Sequence, residues 1–72
     1  MEFHISSTTC NNNKNVFIPL SSVSHIIENT AIHENESQST TWIHFHNGKS
    51  IHIETEYEDV KDDILRYISY IR

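Results

Sequence analysis

Seventy-two residues with a single cysteine make one small domain, with no disulfide framework and no cysteine-based zinc cluster to support it. Ten acidic residues against five basic ones give a formal net charge of −5, which argues against direct nucleic-acid binding, since phosphate contacts need clustered lysine and arginine. A lone glycine, Gly48, excludes a glycine-rich phosphate cradle.

The chain opens on an alternation, with Phe3 and Ile5 on one side and Glu2, His4 and Ser6 on the other, which predicts a short strand over residues 2–7. The segment from Thr8 to Lys14 holds Cys10 and the asparagine run 11–13, and reads as a hairpin loop because asparagine tolerates left-handed backbone. No basic or histidine residue adjoins Cys10 in the sequence, so an incidental exposed thiol is expected rather than a nucleophile. Asn15 to Ile18 returns as a second strand with Val16 and Ile18 inward. Pro19 ends it, having no N–H for a ladder.

Leu20-Ser21-Ser22 makes a tight turn, and Val23 to Thr30 resumes as a third strand. Either Ile26 or Ile27 supplies its core contact, and the double isoleucine leaves the phase open. Ala31 to Ser39 is polar and acidic and reads as a long exposed hairpin loop. It contains an Asn35-Glu36-Ser37 sequon, which is expected to be incidental because secretion is not expected.

Residues 40–71 carry the most consistent signal, a strand, turn, strand and helix. Asn47-Gly48 between alternating apolar residues is a strong hairpin marker. A two-residue loop there would scatter the isoleucines over both sheet faces. A type I turn with Gly48 in a G1 bulge instead pairs Phe45 with Lys49, Ile43 with Ile51 and Thr41 with Ile53. Ile43, Phe45, Ile51 and Ile53 then share one face, and Trp42, His44, Ser50, His52 and Glu54 the other. Burial selects the bulged register. Thr55 to Glu58 has capping-box spacing, which predicts a helix from Glu56, with Glu56, Glu58 and Asp59 at its positive end and Arg66 and Arg72 at the other. Tyr57, Val60, Ile64, Tyr67, Ile68 and Ile71 form its apolar stripe.

The sum is an α+β domain spanning residues 1–72, an antiparallel meander of about five strands with one C-terminal helix packed on one face. Within it, Val16 to Ile26 resembles the opening of the small bacterial proteins of the flagellar FlbD family. Thr41 to Ile53 is similar to their threonine-led hairpin with an Asn-Gly-Lys turn, and Tyr57-Glu58-Asp59-Val60 resembles the start of their terminal helix. Many short phage-encoded proteins share the layout. The resemblance covers residues 15–70 and rests on structural motifs. It implies this fold and, as one function, a flagellar accessory role; it brings no catalytic residue with it.

Six histidines raise the question of metal. His44, His52 and Glu54 share the outer face, but without H-x-x-x-H spacing on a helix or a cysteine beside them they read as surface residues, and no metal or cofactor is expected. Serines and histidines come with no nucleophile elbow and no oxyanion glycines, so an enzyme is not expected either. Trp42, by contrast, points away from the helix, as an interface anchor would. The candidate partner interface is therefore Trp42, His44, His52 and Glu54, with Phe17 and Tyr70 as outlying aromatics.

A chain of this size buries only about 60% of its unfolded surface, so a homo-oligomer is expected. The first residues show neither a basic n-region nor a long apolar core, and no run approaches the ~20 apolar residues of a membrane span, so a cytoplasmic protein is expected. Abundant isoleucine, asparagine, serine and threonine point to an AT-rich genome, such as that of a phage or a low-GC bacterium. Together these features predict a small non-enzymatic protein-binding module, phage or mobile-element encoded, that inhibits or modulates a bacterial host protein of defence or nucleic-acid processing. The alternatives are a homo-oligomeric binder of a nucleotide-like ligand and the flagellar role.

Overall fold

The computed structural model describes residues 3–33 and 36–72. It is an α+β fold of five antiparallel strands and one helix: β1 (His4–Thr8), β2 (Asn15–Pro19), a 3-10 turn at Leu20–Ser22, β3 (Val23–His33), β4 (Glu36–Phe45), β5 (Ser50–Ile53) and α1 (Tyr57–Ile71). The strands divide between a two-stranded sheet, β1-β2, and a three-stranded sheet, β3-β4-β5. A Thr9–Ile53 bridge stitches the two together. There Glu54 N–H donates to the Thr8 carbonyl (2.9 Å) and Cys10 N–H to the His52 carbonyl (3.0 Å). Glu2, placed in the first strand by its alternation, lies outside the described residues, as do Glu34 and Asn35.

The β4–β5 hairpin has the bulged register. Thr41 pairs with Ile53, Ile43 with Ile51, and Phe45 N–H donates to the Lys49 carbonyl (2.8 Å). Gly48 takes φ +86°, a conformation that side chains rarely adopt. In the β1–β2 loop Asn13 is left-handed at φ +53°, and Thr9 Oγ1 accepts from the Lys14 N–H at 3.0 Å. Ile5, Ile18, Leu20, Ile43, Ile53 and Val60 form the buried core, with Ile26, Phe45, Ile51, Ile64 and Tyr67 packed around it. α1 lies over this inner side against β1, β3 and β4.

Four expectations are corrected. Ala31 to Ser39 is no long loop: β3 continues to His33 and β4 begins at Glu36, with Ala31 opposite Gln38 and Thr30 opposite Ser39. Backbone pairing holds these strands, although the sequence there lacks the two-residue apolar alternation. The helix begins at Tyr57, and its N-cap, Glu56, makes no side-chain capping bond. Thr55 is drawn elsewhere: its hydroxyl lies 2.6 Å from Ser7 Oγ, and its carbonyl accepts from buried Thr41 Oγ1 at 2.9 Å. No basic residue occupies the last helical turn, and Arg66 pairs with Asp63 (3.6 Å). The stripe also fails at its end, because Ile71 overhangs the core and is exposed.

The molecule measures 42 × 22 × 20 Å. Its length comes from β3 and β4, since β5 accompanies β4 only over Thr41–His44. No helix among the described residues is long and apolar enough to cross a membrane.

Candidate functional site

The site is the outer face of the β3-β4-β5 sheet, opposite α1. Strand alternation sends Thr41 and Ile43 inward to full burial and leaves Thr40, Trp42 and His44 outward. The register then sets Ile27, Trp42 and His52 in one cross-strand row and His25, His44 and Ser50 in the next. Two stacks fix the rings: Trp42 on His52 with centroids 4.5 Å apart and planes within 10°, and His25 on His44 at 4.5 Å and 5°. Trp42 is 37% exposed and Ile27 49% exposed, so the other described residues do not cover this row.

A polar line runs beside it. Thr40 Oγ1 lies 2.7 Å from His52 Nε2, and Asn29 Nδ2 donates to the same oxygen at 3.2 Å. Thr40 thus anchors the imidazole that stacks on Trp42. Stacked and hydrogen-bonded, these side chains enter any encounter with little rotamer freedom to lose.

Of the predicted interface residues, Trp42, His44 and His52 come together here. Glu54 sits at the margin, in a cleft of about 630 Å³ that it shares with Cys10, Thr40, His52 and Glu56. Cys10 is half-buried there, not the exposed thiol its polar loop suggests. Its burial, and next the nearby Glu54 carboxylate, push its pKa up, so the thiolate is disfavoured. Phe17 and Tyr70 lie elsewhere. Phe17, 59% exposed, stacks on His4 at 4.3 Å on the outside of the β1-β2 sheet. It also borders an apolar groove of about 590 Å³ with Pro19, Phe45 and Ile51. Tyr70 packs on Phe3, centroids 5.0 Å apart, at the end of the helix.

Ile27 and His25 belong to the face and were not singled out by the sequence. A bulge between Val23 and His25 sets their phase: past it, Ile26 opposes Ile43 and turns inward, so Ile27 opposes Trp42 and turns outward. The Ile-Ile pair was the available signal.

Among the described residues, no group of three or more His, Cys, Asp and Glu side chains is placed to hold a metal ion. Nor does any carboxylate among them hydrogen-bond to His52, the imidazole that meets a hydroxyl in the cleft. Compared with known proteins, the chain matches no family model, no curated protein and no solved structure.

Proposed function

We propose that this chain is a small non-enzymatic protein-binding module that docks another protein on the outer face of β3-β4-β5, with Trp42 as the anchor. One observation carries the reading: a tryptophan stacked against His52 stands on a sheet face that the other described residues leave open. Tryptophan is enriched among residues whose truncation costs an interface more than 2 kcal/mol, and a pre-positioned ring loses little entropy on docking. The net charge of −5 suits a partner with a basic surface. Composition and layout support a bacterial host protein as that partner, with the module encoded by a phage or other mobile element and modulating its target by occupying a surface.

The test is affinity capture from bacterial lysate with the wild-type protein and Trp42→Ala, circular dichroism confirming that both fold. A partner retained by the wild type and lost from the variant is the expected result. Equal recovery of the same proteins by both would remove Trp42 from the interface.

A further inference from the structure

β3 is eleven residues long and has a strand partner on one side only. Hydrogen bonds elsewhere in the sheet tell which of its residues face the other side. Phe45 N–H donates to Lys49 of the β5 hairpin arm, whereas His46 N–H donates to the Ser22 carbonyl at the base of β3. Backbone direction alternates along a strand, so odd residues of β4 turn toward β5 and even ones toward β3. The register puts His44, Trp42 and Thr40 opposite His25, Ile27 and Asn29. Those three therefore direct N–H and C=O into β4. Ile26, Glu28 and Thr30 direct theirs outward, to an edge where, among the described residues, no strand meets them.

That edge is open to another chain. Ser24, His25 and residues 27–30 are all exposed, with Ile26 alone among them half-buried. A long open edge is a template for strand pairing, commonly blunted by lysine, proline or a bulge. β3 has neither lysine nor proline, and its bulge, at Val23–His25, lies at one end.

We propose that two copies of this chain pair antiparallel through the β3 edge, with Ile27 of each chain meeting the partner's Ile27 on the two-fold axis. Three constraints favour this register over those centred on Ile26 and Glu28, and the Asn29→Cys arm of the test below separates it from one centred on Asn29. Residues that face one another across a two-fold normal to the sheet share a side of it, so the outward backbone groups of residues 26, 28 and 30 must bond to partner residues of the same set and their neighbour at 24. Centring on Glu28 would set it directly against the partner's Glu28, and like charges in that position are destabilising. Centring on Ile26 would carry the ladder through the bulge at 23–25 and onto Ser22 of the 3-10 turn, whereas centring on Ile27 touches the bulge only at its last pair. Centring on Ile27 sets Ile26 against the partner's Glu28, and Ser24 against the partner's Thr30. Ile27 itself falls in a non-hydrogen-bonded pair, where side chains approach most closely. The outcome is a six-stranded sheet whose outer face carries one row of His52, Trp42 and Ile27 running through the axis into the same three residues of the second copy. A second copy is favoured over a foreign strand because the edge complements itself and because a domain this small gains most from added burial.

This inference concerns the edge of the sheet and stands apart from docking on its face. Sedimentation across a concentration series tests it, with the 8.4 kDa monomer as reference. Wild type is expected to reach twice that mass. Glu28→Pro removes an outward N–H without touching the β3–β4 ladder and is expected to stay monomeric, with unchanged circular dichroism. In a Cys10→Ser background, mild oxidation is expected to crosslink Ile27→Cys into a covalent dimer and to leave Asn29→Cys largely uncrosslinked. A wild type that stays monomeric throughout would overturn the proposal. So would a dimer that survives Glu28→Pro, or equal crosslinking at the two positions.

Discussion

Cys10 shows how a residue's surroundings can reverse what its neighbours in sequence suggest. Flanked by Thr9 and Asn11, it reads as an exposed loop thiol, yet its own N–H is bonded to the His52 carbonyl and it is half-buried beside Glu54. Burial and, after it, the Glu54 charge raise its pKa, and both act by penalising the thiolate. Alkylation by iodoacetamide, followed against pH, is therefore expected to have its midpoint above that of the same thiol in the urea-unfolded chain. Glu54→Gln should bring the midpoint partway back, because the larger cause, burial, remains. The sign for stability follows. A folded-state pKa above the unfolded one contributes stability that is complete below the unfolded value and is lost as pH rises through the folded value. Equal midpoints for wild type and Glu54→Gln would show that the carboxylate does not reach the thiol.

Elements were legible where apolar alternation and turn chemistry coincide. In the β4–β5 hairpin, Ile43, Phe45, Ile51 and Ile53 reach one face only in the bulged register, and the structure has that register because Gly48 supplies the positive φ it needs. The start of α1 was misread because capping boxes are local and the competing bond is not. Thr55 is engaged by Ser7, 48 residues away, and by Thr41, both out of reach of any spacing rule. The helix entry thus depends on a buried side-chain bond instead of a cap. Thr41→Val keeps the shape and deletes the only donor the Thr41 side chain offers to the Thr55 carbonyl. It is expected to cost about 1–3 kcal/mol, read from the urea midpoint at unchanged slope. A shift within error would mean that water replaces the hydroxyl there. Phase in β3 was illegible for a related reason, since the bulge that decides between Ile26 and Ile27 has no side-chain signature.

At the scale of the molecule, the far half of β3 and β4 escaped the sequence because no two-residue apolar alternation marks it. Glu28, Asn29, Thr30 and Gln38 are exposed, and before Thr41 the strand β4 pairs with β3 alone. Two-stranded ribbons are marginal in water. Amide exchange at Gln38 and Thr40 is accordingly expected to run faster than at Trp42 and His44, which lie in the three-stranded part of the same strand. Uniform protection along β4 would show that the ribbon is held by more than its own ladder. On the face with Trp42, His44 and His52 were legible because the β4–β5 register fixes both, whereas Ile27 and His25 were lost with the bulge. The seam at Thr9 and Ile53 has a further consequence, for the order of folding. The β1–β2 hairpin is local and can form early, but its backbone bridge to the three-stranded sheet runs from Thr9 to Ile53, far along the chain. Closing so long a loop before its contacts form is slow. On the ribosome the first hairpin therefore waits, its inner isoleucines uncovered, until the last strand and the helix have emerged to receive it.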